Sequence, residues 1–416
     1  MNIEELYRLF VRSDGISTDT RTLRKNQLFF ALKGERFDAG EFVDDALNKG
    51  ATAVVTERKN QKGDNIIPVD DSLKTLQQLA TFHRQKLGLP VIAITGSNGK
   101  TTTKELLAAV LSKKYKTAYT KGNLNNHIGV PLTLLDISRD TQIAIVEMGA
   151  NHPGEIDTLC RIAMPDYGYI TNFGKAHLEG FGSEEGVIRA KTELYRYLSE
   201  TDGTVFVNSD PRQKELTLHQ KNIPLTTRLS LVKTHPYVWV KHGDTLIKSH
   251  LVGAYNFDNI SAAIGIGKHF RIPVEDIREA IESYVPGNKR SQLIRKRNVN
   301  IILDAYNANP TSMKVALESF ERYPSAKKAV ILGDMLELGA AAAAEHRNIA
   351  QFATAHFDKA VFIGPLFHGT QTPGSTCYPS YDDFLKNFNA GEWNGYHILI
   401  KASRGMALER IVELFE

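Results

Sequence analysis

The sequence predicts an α/β protein of three domains. Short apolar runs of buried-strand length alternate with helical patterns along nearly the whole chain, and 416 residues are too many for one core. A third observation narrows the class. The run at 91–95 leads into a glycine-rich turn, a lysine–threonine pair and a helix, the order of a phosphate-binding loop.

The first domain is expected over residues 1–88. Runs at 28–32 and 53–55 read as short strands, and "SLKTLQQLATFHRQKLG" places Leu73, Leu76, Leu79, Ala80 and Leu87 at near-helical spacing. "LGLP" then stops the helix. The second domain, 89–285, has apolar runs at 91–95, 143–147 and 167–171, each followed by a loop and a helical pattern. That alternation implies a mostly parallel sheet covered by helices. Residues 234–251 alternate around His242-Gly243-Asp244, a hairpin signal. "SYVPGNKRSQ" marks the second boundary, with "VPGNK" hinge-like. The third domain, 286–416, repeats the pattern with strands at 299–303, 329–332, 360–363 and 397–400, a small Rossmann-like α/β unit. There is no internal repeat and no low-complexity linker.

Composition excludes several classes. With 42% hydrophobic and 24% charged residues the chain reads as an ordinary globular protein. No apolar run approaches the ~18 residues of a membrane span, and "MNIEELYRLF" lacks the layout of a signal peptide. Two distant cysteines, Cys160 and Cys377, fit a reducing cytoplasm without a disulfide frame. A net charge of +4 without long basic runs does not suggest nucleic-acid binding, but suits a basic pocket for an anionic small substrate. Five alanines at 340–344 read either as a helix start or as a replacement of flexible surface side chains.

The loop departs from the usual pattern, because Ile94 stands where a first glycine is expected. The physics does not need that glycine. Gly96 and Gly99 allow a tight turn that brings backbone N–H groups to a polyphosphate. Lys100 can neutralise phosphate charge, the Thr101 hydroxyl can ligate Mg²⁺, and the following helix, expected from about Thr102, adds its positive end.

"TGSNGKTT" resembles the ATP loop of the Mur ligase family and its folylpolyglutamate synthetase relatives, where this shortened glycine pattern is normal. The resemblance extends over nearly the whole chain and is closest to the MurF branch. "TKGNLNNHIGVPLTLL" (120–135), "EMGANHPGEI" (147–156), "TNFGKAHLEGFGS" (171–183), "RAKTEL" (189–194), "DAYNANPTSM" (304–313) and "LGDMLELG" (332–339) carry it. "STDTRTLRKNQLFFALKGERFDAGEFVDDAL" (17–47) resembles the family's N-terminal UDP-binding domain.

The resemblance implies an ATP-dependent amide ligase. It would join D-alanyl-D-alanine to UDP-N-acetylmuramoyl-tripeptide through an acyl phosphate, as a cytoplasmic monomer, with ATP and two Mg²⁺ as cofactors. Such an enzyme must hold phosphates, carboxylate and amine together and shield developing charge. The residues that could do so stand mostly at the ends of apolar runs, where α/β folds place their sites. The resemblance implies Gly96, Ser97, Asn98, Gly99, Lys100, Thr101 and Thr102 at the ATP phosphates. It implies Thr101 and Glu147 on one Mg²⁺ and His177 on a second. Lys191 lies on an amphipathic helix, where a lysine alone reads as a solvated face. The family's matching lysine is carbamylated, which implies a carbamate at Lys191 acting as a metal ligand. Asn256 and Asn259, one helical turn apart, would face the adenine; Asp304 would meet the ribose and Arg290 the ATP. Lys401, Ser403 and Arg404 would lie near the amino substrate. For the UDP substrate the candidates are Ser17, Thr18, Asp19 and Arg21, with Asn125 and Asn126 at the diphosphate or muramoyl part. By themselves, two asparagines on a helix read as solvated and "NN" in a loop as turn chemistry.

Two other readings stand beside this one. One is another Mur-type ligase adding a different amino acid, although no "DNPR"-like stretch of a diaminopimelate-adding enzyme occurs. The other is a non-catalytic nucleotide-binding regulator, which predicts loss of Lys100, Glu147, His177 or Lys191; all four are present.

Overall fold

The computed structural model describes residues 2–35, 37–60, 63–225, 228–287 and 290–415, so Asn288 and Lys289 of the hinge-like stretch lie outside the described residues. The first sheet is parallel throughout: Ile16–Ser17, Leu28–Phe30, Ala53–Thr56 and Ile66–Pro68 in spatial order. The helix Ser72–Leu87 starts where the Asp71 carboxylate accepts from Lys74 N–H and ends at Gly88 in the left-handed region. Its buried face, Leu76, Leu79 and Ala80, packs in one continuous core with Leu28, Phe30 and Val55 on one side and Val91 and Ala93 on the other. That shared core fixes the first sheet against the second.

The second sheet has six parallel strands, in the order Asn222–Pro224, Thr204–Val207, Tyr167–Ile170, Val91–Thr95, Ile143–Glu147, Thr117–Tyr119. Val91–Thr95 is buried on both faces, as a parallel strand covered by helices must be. The chain fills one side of this strand first and then crosses to the other. The strand is therefore the switch point at whose carboxyl end α/β sheets open a crevice. A three-stranded antiparallel sheet, Leu229–Lys233, Trp239–His242 and Thr245–Lys248, follows, and the expected hairpin turn is present with His242 opposite Thr245.

The last sheet runs Gln292–Lys296, Val299–Asp304, His397–Lys401, Lys328–Gly333, Lys359–Ile363, Thr376–Tyr378. Its first pair is antiparallel, an edge hairpin the sequence reading did not anticipate, and the rest are parallel. The alanine run forms a short 3₁₀ turn, Gly339–Ala341, and the start of the helix Ala342–His356. No helix among the described residues is long and apolar enough to cross a membrane.

Candidate active site

The glycine-rich loop leaves the switch-point strand and turns into the helix Lys100–Leu111, which begins two residues earlier than expected. Gly96 has φ +134°, and a Cβ there would stand 2.0 Å from Thr171 Oγ1. Gly99 has φ +80°, and a Cβ there would meet Asn259 Oδ1 at 2.5 Å. Neither position tolerates a side chain. The loop is tied to residues 171–174: Ser97 N–H donates to Asn172 C=O, Asn98 N–H donates to Asn172 Oδ1, and Ser97 Oγ bonds both the N–H and the C=O of Gly174. The N–H groups of Ser97 and Asn98 are thus committed within the chain. The donors left for an anion are those of the helix's first turn, before Thr103 N–H makes its bond to Gly99 C=O.

Lys100 curls back over the loop, its Nζ donating to Gly96 C=O at 2.6 Å. Burial pushes its pKa down to about 8, with Arg290 lowering it and Glu147 raising it. An ammonium held this way gains from an arriving phosphate. Glu147 ends the neighbouring strand and is 2% exposed. Its Oε1 accepts from Thr101 Oγ1 at 3.2 Å and from Asn125 Nδ2 at 2.8 Å, while Lys104 Nζ lies 3.4 Å from Oε2.

This donor set fits Mg²⁺ at one position. Neighbouring ligands of an octahedral Mg²⁺ at about 2.1 Å stand about 3 Å apart, close to the 3.2 Å between Thr101 Oγ1 and Glu147 Oε1. Among the described residues no three His, Cys, Asp or Glu side chains group into an all-protein cage. Mg²⁺ tolerates that, because it keeps waters and phosphate oxygens. The residues expected around a second ion do not fit it as placed. His177, in the left-handed region at φ +52°, is paired through Nδ1 with Glu337 Oε2. Lys191 is not on a solvated face. It is 1% exposed, donates to Ala150 C=O at 3.2 Å and lies 5.1 Å from the centre of the Phe181 ring. Burial above all, and then the Lys100 charge, push its pKa well below the ordinary lysine value, toward a neutral amine.

Lys100, Thr101, Asn125, Glu147 and His177 face a cavity of about 1030 Å³ whose opposite wall belongs to the C-terminal domain. Asn309 Nδ2 donates to Asn98 Oδ1 at 2.8 Å, Lys175 N–H donates to Thr311 Oγ1 at 2.8 Å, and Lys175 Nζ pairs with Glu345 at 2.8 Å. On that wall Arg290 stacks over Tyr306 at 3.8 Å, and Arg404 stands 5.5 Å from the same ring. Arg290 Nε is buried without a hydrogen-bond partner among the described residues.

Three family models match in order along this chain: "Mur ligase family, catalytic domain" over residues 12–84, "Mur ligase middle domain" over 94–267, and "Mur ligase, glutamate ligase domain" over 289–376. The UDP-N-acetylmuramoyl-tripeptide--D-alanyl-D-alanine ligase of Bacillus subtilis (strain 168) is 38% identical over 424 residues, covering 96% of this chain and 92% of that protein. The chain belongs to the Mur ligase family. Its fold matches that of MurF from Acinetobacter baumannii with a TM-score of 0.87 at 30% identity, covering 98% of this chain and 97% of the other. It also matches the MurF ligase of Thermotoga maritima in complex with ADP, with a TM-score of 0.85 at 29% identity, covering 98% and 97%.

Set against that Mur ligase frame, the expected site residues divide into three groups. Ser97, Asn98, Gly99, Lys100, Thr101, Thr102, Glu147, His177, Asn125, Asn126, Asn256, Asn259, Arg290, Asp304, Lys401, Ser403 and Arg404 all line the one cavity, whereas Gly96 and Lys191 lie behind its wall. Ser17, Thr18, Asp19 and Arg21 lie away from that lining. There Asp19 and Arg21 form an exposed pair at 2.6 Å that holds the Asp19 carboxyl down at about 2.

Several lining residues do other work than a free ligand contact. Asn259 accepts from Thr103 Oγ1 and donates to Asn256, clamping its helix to the loop helix, and neither asparagine is solvated. Asn126 accepts from Gly129 N–H, the turn role, while Asn125 binds Glu147. Lys401 is buried and bonds Asp304 Oδ2 at 2.7 Å and Asn307 C=O at 3.0 Å, so it shapes that loop. Ser403 Oγ joins Leu336 N–H to Ala308 C=O. Of that trio, Arg404 alone is exposed to an incoming group. Sequence reasoning missed Lys104, Asn172, Glu337 and Tyr306. For Lys104 a signal existed: it shares the helix face of Lys100 and Thr101 at spacings of four and three.

Proposed function

We propose that this chain is the ATP-dependent ligase that adds D-alanyl-D-alanine to UDP-N-acetylmuramoyl-tripeptide, acting as a cytoplasmic monomer. The observation that carries the reading is the phosphate loop with Lys100, Thr101 and Glu147 facing Arg290, Asp304 and Arg404 across one cavity. We place the domain divisions at 88/89 and 285/286, a reading supported by strands of different sheets lying on either side of each point.

The reaction requires two steps at that cavity. The substrate carboxylate takes the γ-phosphoryl group of ATP, releasing ADP. The amine of D-alanyl-D-alanine then attacks the acyl phosphate, forming the amide and releasing phosphate. Lys100 and the first-turn N–H groups offset phosphate charge, and Arg290 adds a second cation from the opposite wall. Arg404 suits the dipeptide's carboxylate. Residues 171–174 hold the loop in its turn, and the bonds of Asn309 and Lys175 join the loop side to the C-terminal domain beside the cavity; closure of the two sides around substrate would keep water from a hydrolysable intermediate. Bound between Thr101 and Glu147, Mg²⁺ would supply charge neutralisation at the ATP phosphates. A second Mg²⁺ would need Lys191 as a carbamate, since Mg²⁺ prefers oxygen to nitrogen. Burial lowers the Lys191 pKa, and the neutral amine is the form of a lysine that reacts with CO₂.

Phosphate release measured with ATP and UDP-N-acetylmuramoyl-tripeptide, with and without D-alanyl-D-alanine, tests the reading. Sustained release that needs both acceptor and donor supports it. Release indifferent to D-alanyl-D-alanine, but dependent on another amino acid, would assign the chain to a different ligase branch.

A further inference from the structure

Lys104 has no place in the phosphate contacts described above, yet it is one of the most deeply buried cations of the central domain. Its side chain is 1% exposed, and its ammonium lies 3.4 Å from Glu147 Oε2, on a carboxylate that is itself 2% exposed. A buried ammonium is expensive unless paired, and a buried pair is rarely kept for stability alone. The two oxygens of Glu147 are divided. Oε1 takes Thr101 Oγ1 and Asn125 Nδ2, whereas Oε2 has no hydrogen bond among the described residues and lies beside the Lys104 ammonium. Glu147 also acts electrostatically on Lys100, whose Nζ now rests on Gly96 C=O.

We propose that Lys104 is a positioning residue, the permanent counter-ion of Glu147. It keeps Oε1 turned beside Thr101 and prevents the carboxylate from drawing Lys100 away from the nucleotide's phosphates. Lys104 stands one turn after Lys100 on the same helix face, so its ammonium reaches Glu147 from inside the fold while Lys100 reaches the cavity. The carboxylate is the one element both lysines share. With Lys104 in place it is already neutralised; without it, Lys100 remains a cation within its electrostatic reach.

This assignment deepens the nucleotide-ligase reading of the same site and depends on it. The test uses the full chain and two binding measurements: ADP affinity in EDTA by calorimetry, and Mn²⁺ affinity of the protein–ADP complex by electron paramagnetic resonance. Lys104→Met should weaken both by roughly tenfold, the scale of a coupling between contacting charged groups. In the Lys104→Met/Glu147→Gln double variant no carboxylate remains to divert Lys100, and metal-free ADP affinity should return to within about threefold of the unaltered protein. A merely structural ion pair predicts otherwise: lower melting temperature in Lys104→Met, with both affinities unchanged. That result, or a double variant as weak toward metal-free ADP as the single one, overturns the proposal. Lys104→Gln serves as the single variant if Lys104→Met does not fold. Failure of the unaltered protein to bind ADP would instead overturn the nucleotide reading itself, so the two failures are distinguishable.

Discussion

Replacing Lys100 with methionine should abolish turnover and at the same time make the ligand-free protein more stable. The pKa of Lys100 falls from the ordinary 10.5 to about 8, chiefly because it is buried. That fall corresponds to ~3 kcal/mol against the ammonium at neutral pH. For a base whose folded pKa is depressed, the unfolded state binds more protons between the two values. The penalty is therefore full below about 8 and vanishes as pH rises through 10.5. Methionine removes the penalty but also the bond from Nζ to Gly96 C=O, a loss of ~1 kcal/mol. The net gain is ~2 kcal/mol at pH 7, or a rise of roughly 4–8 °C for a unit the size of the central domain. Differential scanning fluorimetry at pH 7 and pH 10, beside ATP-dependent phosphate release, reads both effects. The stabilisation should shrink at the higher pH. A Lys100→Met protein that melts lower than the unaltered one at pH 7 would refute the burial argument, and one that still turns over would refute the loop assignment.

Lys191→Ala should be nearly inactive, with partial recovery from a small added carboxylic acid. The unaltered enzyme should lose activity in CO₂-depleted, mildly acidic buffer and regain it with bicarbonate. Normal turnover of Lys191→Ala under CO₂ depletion would return Lys191 to a structural role. His346 accepts from Met335 N–H through Nε2, and burial lowers its pKa below the ordinary 6.5. Its neutral form is the folded one, so stability should fall as pH drops below 6.5, and His346→Gln should melt with a shallower slope between pH 6.5 and 5. An unchanged slope would show that other groups govern acid sensitivity. Because the cavity is shared between two sheets, its halves should part and close around substrates. Solution scattering should show a smaller radius of gyration with an ATP analogue plus UDP substrate; superimposable profiles would contradict this.

The parts of the fold legible in the sequence were those whose burial is two-sided. Val91–Thr95 and Ile143–Glu147 appear as continuous apolar runs because helices cover both faces of the sheet, and their expected limits match the structure. Strand ends were less legible. Thr171 looked like a strand residue, but its hydroxyl turns to Asn98 C=O at 2.5 Å, and the strand stops at Ile170. The strands Thr117–Tyr119, Asn222–Pro224 and Thr376–Tyr378 are three residues long, too short for a periodicity to register. In the site, residue types were legible and partnerships were not. Asn98 meets Asn309 and His177 meets Glu337 across more than 150 positions of sequence, and one sequence alone carries no pairing information. Lys401 and Asp304 were assigned separate substrate contacts, yet each is the other's ion-pair partner. Lys191 shows the same limit from the other side. Its amphipathic helix suggested solvent, and the packing of Phe181 and Ala150 around it decided otherwise.

The central claim is that this cavity activates one carboxylate as an acyl phosphate and hands it to D-alanyl-D-alanine. The most direct measurement follows the oxygen: UDP-N-acetylmuramoyl-tripeptide carrying ¹⁸O in the reacting carboxylate, incubated with ATP and D-alanyl-D-alanine, with both products analysed by mass spectrometry. The account predicts a UDP-linked product heavier by the dipeptide less one ¹⁸O-labelled water, and that ¹⁸O transferred from the carboxylate into the released phosphate. Phosphate free of ¹⁸O, or a UDP-linked substrate returned without the added dipeptide, would contradict it.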